Sequence, residues 1–349
     1  MPQAAANTDN TDVSTEQIVT DILTTIDRER EREIISRRFG LFDRKETLEQ
    51  IGEMLGITRE RVRQLEKSVI GRLAAAAEQS SLPHVGEFET KVLEILEKSG
   101  QVARVSKLTS NMSDISTREE HARVAFISQL APKLTLINED DNFYASVSIK
   151  AINDEKTLRA RVAKLVETIK KIGEPQTISQ IAKEAAIENK DEAEALATTS
   201  KQLATLNNRW GLIKWPMVNP KNIRDKIYVI LKENGKHMHF NEISESIKDS
   251  DFKRKDVTTQ AIHNELIKDK RFVLVGRGIY ALKEWGYEKG TVADIISEVL
   301  REAGEPLHRD EIVKRVLKSR FVKETTILLN LQGKPQFKRV AKATYALNE

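Results

Sequence analysis

Apolar positions recur at helical spacing along most of this chain, and they fall into two kinds of unit. The first kind is TLEQIGEMLGITRERVRQLEKSVIGRL, Thr47 to Leu73. Thr47, followed three residues later by Gln50, predicts a capping box. Leu48, Ile51, Met54 and Leu55 then keep one helical face apolar. Gly56 and Ile57 make a turn, and Thr58 can cap a second helix. Within that helix Val62, Leu65 and Val69 form an apolar stripe. At about 100° per residue, Glu60, Arg63, Gln64 and Lys67 point the other way, with Arg59 and Arg61 beside them. The pattern predicts a helix-turn-helix.

The second kind of unit repeats. Gly100, Gly173, Gly235 and Gly304 each follow a helical pattern, and glycine is the common left-handed stop at a helix C-terminus. Eight residues after each lies an aliphatic side chain: Leu108, Ile181, Ile243 and Ile312. Every unit ends in two short runs of β-formers around a turn, at Asp140-Asp141-Asn142, Asn207-Asn208-Arg209, Gly276-Arg277-Gly278 and Ala341-Lys342-Ala343. Helix, short strand, two helices and a hairpin is the order of a winged helix. The glycines are 62 to 73 residues apart, the size of a small domain rather than a solenoid turn.

The expected fold is therefore mainly α: an N-terminal helix-turn-helix domain followed by tandem winged-helix modules with short β-hairpin wings. The expected divisions are a disordered tail over 1–12, the helix-turn-helix over 13–80, and winged helices over 84–150, 155–216, 221–286 and 290–349. Trp210, Tyr280 and Tyr345 fall in the wings. Stacking on a nucleic acid or sealing the hairpin onto its helices would each place an aromatic there, and recurrence at one position favours sealing.

The polar face of the second helix suits a duplex. Arginine pairs bidentately with guanine, glutamine with adenine, and glutamate accepts from the cytosine amino group. Lysine and the remaining arginines can hold phosphates, which position without reading sequence. The alternative is a solvated charged face; cap, turn, stripe and polar face together favour the duplex.

The stretch IGEMLGITRERVRQLEKSVIGRL, with the preceding Asp27–Leu41, resembles region four of primary-type bacterial sigma factors, over roughly residues 13 to 78. The resemblance implies that Arg59, Glu60 and Gln64 contact bases, that Arg37, Arg61, Arg63 and Lys67 sit at phosphates, and that the domain docks on the β-subunit flap of RNA polymerase. One departure matters. A full sigma factor also carries an aromatic-rich region that melts the promoter; 26 residues precede Asp27, and nothing later resembles that region. The protein is therefore not expected to open promoters alone. The third repeat, with GKHMHFNEI and KDKRFVLVGRGIYALKEW, resembles the HARE-type winged helix of the RNA polymerase delta subunit. The fourth, with GEPLHRDEIV and RVAKATYAL, resembles it more distantly.

Charge changes the picture only through its distribution. The net charge is +4, but residues 312–349 hold 9 Lys and Arg against 2 Asp and Glu. Lys338, Arg339 and Lys342 in the last wing are a candidate second basic patch, with a merely solubilising surface as the alternative. Residues 74–220 hold 19 basic against 20 acidic side chains, which is poor for tracking phosphates.

The chain has no cysteine, which excludes disulfides and thiolate metal sites. No apolar run approaches the length of a membrane span, and the first residues lack a signal peptide's basic and apolar regions. A cytoplasmic protein that binds no membrane is expected. No GxxxxGK, GxSxG or HExxH occurs. His237 and His239 have no further ligand at useful spacing, so no metal, cofactor or small-molecule substrate is expected, and no enzyme. The leading expectation is a DNA-binding transcription factor working with RNA polymerase. The alternatives are a polymerase-bound protein-interaction scaffold and the specificity subunit of a DNA-modifying system.

Overall fold

The structure is a computed structural model that describes residues 13–287 and 290–348. The tail expected over residues 1–12 lies outside the described residues. The chain is mostly helical with small three-stranded antiparallel sheets. It divides into two compact units between Ile213 and Lys214.

The first unit opens with α1 (Thr15–Thr24), α2 (Glu29–Phe39), α3 (Leu48–Leu55) and α4 (Arg59–Glu78). The capping box forms: Thr47 N–H donates to Gln50 Oε1 at 2.9 Å, and Gln50 N–H to Thr47 Oγ1 at 3.2 Å. Gly56 turns the chain with φ 64°. Thr58 Oγ1 then accepts from Arg61 N–H at 3.2 Å. Ile34, Ile51 and Val62 close a small core with Leu48, Leu55, Ile57 and Leu65 around them. Met54 departs from the expected stripe and is 44% exposed. At about 100° per residue it lies some 60° to one side of Ile51, while Leu48 and Leu55 both lie to the other.

The winged-helix order then occurs twice in this unit. The first module runs α5 (Val85–Lys98), β1 (Val102–Arg104), α6 (Val105–Met112), α7 (Arg118–Leu130), β2 (Leu134–Ile137) and β3 (Ser146–Ile149). The second runs α8 (Glu155–Ile172), β4 (Gln176–Thr177), α9 (Ile178–Glu184), α10 (Lys190–Thr199), β5 (Leu203–Leu206) and β6 (Arg209–Leu212). It occurs twice more in the second unit. The third module runs α11 (Ile223–Asn234), β7 (Met238–His239), α12 (Phe240–Asp249), α13 (Thr259–Lys268), β8 (Phe272–Gly276) and β9 (Ile279–Leu282). The fourth runs α14 (Val292–Ala303), β10 (Leu307–His308), α15 (Arg309–Ser319), α16 (Glu324–Gly333), β11 (Phe337–Ala341) and β12 (Thr344–Leu347). In all four sheets the last strand lies between the other two.

The repeat signature has a physical reading. The four signature aliphatics, Leu108, Ile181, Ile243 and Ile312, are fully buried. Trp210, Tyr280 and Tyr345 are buried too, so these aromatics seal the hairpins and offer no face to a base. His239 Nδ1 accepts from Asn241 N–H at 3.3 Å and His308 Nδ1 from Asp310 N–H at 3.4 Å, which makes both histidines helix caps.

The helix-turn-helix and the first winged module share one core. Ile18, Val19, Ile22 and Leu23 of α1, Ile35 of α2, and Val69, Leu73 and Ala77 of α4 pack in one cluster with Phe88, Val92, Leu108, Phe126 and Val147. Leu82, in a stretch whose Ser-Ser-Leu-Pro sequence reads as a linker, is buried in it. The Phe39 and Phe126 rings are 5.0 Å apart. Polar ties reinforce the joint: Arg123 Nε donates to the Leu41 carbonyl at 2.8 Å, and the Arg123 guanidinium pairs with Glu16 at 2.8 Å.

Gly100 illustrates how closely the first two winged modules meet. Its φ is +83°, and a Cβ there would sit 2.4 Å from the Asp191 carbonyl oxygen of α10. Gly100→Ala combines a left-handed penalty of roughly 1–2 kcal/mol with that clash. Its urea midpoint is expected to fall by the equivalent of about 2 kcal/mol or more. A midpoint within error of wild type would show that α10 yields freely.

Candidate nucleic-acid interface

α4 is the element around which the site is built. Twenty residues make it, about 30 Å at 1.5 Å per residue. Its two halves have different tasks. Val62 and Leu65 face α2 and α3, whereas Val69, Leu73 and Ala77 enter the core shared with the first winged module. The N-terminal half is therefore held at both ends. The turn into it closes tightly: a Cβ on Gly52 would lie 2.7 Å from the Ile57 carbonyl oxygen. Composition and spacing do not announce that requirement.

Arg59, Glu60, Arg61, Arg63, Gln64 and Lys67 are all exposed on this half. The face is partly organised within itself. Arg63 donates to both Glu60 carboxylate oxygens, at 2.9 and 2.7 Å. Those hydrogen bonds hold the Glu60 carboxyl below the usual carboxylate range. Arg61 donates to Gln64 Oε1 at 3.3 Å. Exposed pairs of this kind are weak and exchange partners readily, so a ligand with better geometry can take over both groups. Arg37 stands differently. Its guanidinium lies between Glu33 at 2.5 Å and Glu46 at 2.9 Å, and their hydrogen bonds raise its pKa further. Two carboxylates already offset its charge.

Several supporting residues escape a reading by motif. Glu31 is buried and pairs with Arg28 at 3.6 Å and with Arg72 of α4. Arg38 pairs with Glu66 at 3.3 Å, and Arg30 donates to the Leu55 carbonyl at 2.7 Å. These contacts tie α2 to α3 and α4 and set the pitch of the exposed face. One signal existed: Glu31, Ile34 and Ile35 share the i, i+3, i+4 spacing of a buried helix face, so Glu31 was placed to be buried.

Lys338 and Arg339 are exposed on β11, and Lys342 is exposed at the turn into β12. They belong to the second unit. Among the described residues no three His, Asp or Glu side chains gather as a metal site. No helix there is long and apolar enough to cross a membrane.

The geometry of residues 29–78 defines a capped helix-turn-helix with a solvent-facing second helix. Residues 28–75 match the family Sigma-70, region 4, and so carry a sigma-70 region 4 domain. Over this region the chain is 53% identical across 45 residues to RNA polymerase sigma factor sigB of Arabidopsis thaliana, which takes in 13% of this chain and 8% of that protein. It is 55% identical across 47 residues to sigma factor RpoD of Helicobacter pylori, 13% of this chain and 7% of that protein. It is 46% identical across 54 residues to sigma factor SigA of a Bacillus species, 15% and 14% respectively. The chain thus spans a small fraction of these relatives' length.

Proposed function

We propose that this protein is a DNA-binding transcription factor that acts with RNA polymerase and reads a short promoter-like duplex element through α4. The observation that carries the reading is the exposed Arg59–Lys67 face, set on a capped, rigidly packed helix inside the region 4 match. Arg59, Glu60 and Gln64 contact base edges in the major groove. Arg61, Arg63 and Lys67 hold phosphates, and Arg37 contributes least because Glu33 and Glu46 already neutralise it. The polymerase partner is inferred from the sigma factors that share this domain, with the β-subunit flap as the docking point. The third and fourth modules are read as HARE-type winged helices.

Selection of binders from a randomised duplex library, at two salt concentrations, tests this. Enrichment of a short motif supports it. Lys67→Ala is then expected to weaken all sequences alike and to lower the salt slope by about one. A slope equal to wild type would remove Lys67 from the phosphate set. One observation favours a second reading, a polymerase-bound scaffold: residues 74–220 are nearly neutral, with 19 basic and 20 acidic side chains, so the middle modules suit protein better than phosphate. Polymerase that co-purifies after nuclease treatment, with no enriched motif, would select that reading.

A further inference from the structure

The four winged modules differ in what their third helix and hairpin touch. In the first, α7 packs against α1, α2 and α4 and leaves only Arg118 and Gln129 exposed. The hairpin loop of that module is bound by the second: Tyr144 N–H donates to the Thr199 carbonyl at 2.9 Å, and Lys201 N–H to the Asn142 carbonyl at 2.7 Å. In the second module α10 packs on β1 of the first. In the third, the hairpin is engaged by the fourth: Arg320 donates to the Leu274 carbonyl at 2.6 Å, and Phe321 packs 4.0 Å from His237.

In the fourth module, among the described residues, both elements carry exposed side chains. α16 exposes Glu324 at its start, then Thr325, Leu329, Gln332 and Gly333, with Leu329 at 68%. Lys338, Arg339 and Val340 of β11 and Lys342 at the turn are exposed as well. Charge follows the same order. From the third-helix cap to the last hairpin strand, residues 117–146 hold 3 basic and 5 acidic side chains, and residues 189–209 hold 3 and 3. Residues 258–279 hold 4 and 2, and residues 323–344 hold 5 and 1. The balance runs −2, 0, +2, +4, and the most positive module is the one whose third helix and hairpin both present exposed side chains among the described residues.

We propose that the fourth winged-helix module is a second duplex-binding surface, with α16 against a groove and Lys338, Arg339 and Lys342 on backbone phosphates. Thr325 and Leu329 present methyl groups of the kind that contact thymine, and Gln332 a carboxamide that can pair with adenine. The choice of double-stranded DNA as ligand rests on the function proposed above. A chain with two such surfaces gains affinity through effective concentration rather than through any new contact at α4.

The test uses the full chain and a long duplex, in wild type, in Lys338→Ala/Arg339→Ala/Lys342→Ala, and in Leu329→Glu. All four positions are exposed, so folding is not at stake. Losing three phosphate contacts is expected to lower the salt slope by about 2.7. Between about 50 and 200 mM salt, wild type then loses about 40-fold more affinity than the triple variant. Leu329→Glu, which brings a carboxylate to the groove, is expected to weaken binding at both salts. An unchanged slope in the triple variant, with Leu329→Glu binding like wild type, overturns the proposal and leaves the wing to solvent or an acidic protein. The α4 reading is judged separately by Arg59→Ala/Gln64→Ala. If that variant keeps the wild-type motif while the wing variant loses its slope, the second surface stands and the α4 reading falls. The opposite pattern keeps α4 and removes the wing.

Discussion

Arg59→Ala/Gln64→Ala is expected to abolish motif enrichment while leaving weak, salt-sensitive retention on DNA. Both side chains are exposed on α4, so their removal costs the fold little. A good bidentate pair discriminates by about 1–3 kcal/mol. Two such pairs give about 2–6 kcal/mol, at least roughly a 30-fold loss of preference for the selected site. Under the proposed function, Arg61, Arg63 and Lys67 remain to supply the sequence-independent part. Gln64→Ala alone should relax one base position, freeing Arg61 from its 3.3 Å contact. The measurement is competition between the selected duplex and a scrambled one. A double variant that still prefers the selected duplex by the wild-type factor would show that another surface reads it.

Phe126→Ala is expected to damage the helix-turn-helix although Phe126 belongs to the first winged module. The side chain is fully buried on α7, and its ring meets Phe39 of α2 at 5.0 Å. Truncating a buried phenylalanine costs about 3–5 kcal/mol, a large share of the roughly 5–15 kcal/mol that holds a domain together. Because Val69 and Leu73 of α4 lie in the same cluster, the cavity weakens the support of the exposed face as well. Hydrogen exchange should show the amides of α2 and α4 losing protection together with those of α5 and α7. Duplex binding should fall in parallel. Retained protection in α2 and α4, with loss confined to α5–α7, would mean that the two modules fold independently despite their contact. The same packing predicts that residues 13–80 alone, with Ile18, Val19, Ile22 and Leu23 uncovered, do not hold a stable fold.

The helix-turn-helix and its exposed face were legible because their determinants are local. A capping box, a left-handed turn and an apolar stripe occupy fewer than thirty consecutive residues, Thr47 to Leu73. Each acts through backbone geometry or helical period, which a single strand of sequence encodes. The winged modules were legible for the same reason: a glycine stop, an aliphatic eight residues on, and a hairpin with a buried aromatic. The error at Met54 is of the same local kind, since an arc of four apolar residues does not say which edge faces the neighbour.

Sequence by itself thus determined the order of elements, their caps and turns, and which face of α4 is polar. Tertiary structure alone decided which modules merge. That α7 is covered on nearly every side, that Leu82 is core rather than linker, and that Arg37 is neutralised by Glu46 follow from pairings between distant segments. So does the burial of Lys226, 4% exposed, whose ammonium donates to the carbonyls of Lys253 and Arg254 at 2.8 and 2.7 Å, with burial lowering its pKa. A periodic pattern reports that a helix has one buried face. A second buried face, or a buried charge with its partners, depends on surfaces that meet only when the chain has folded.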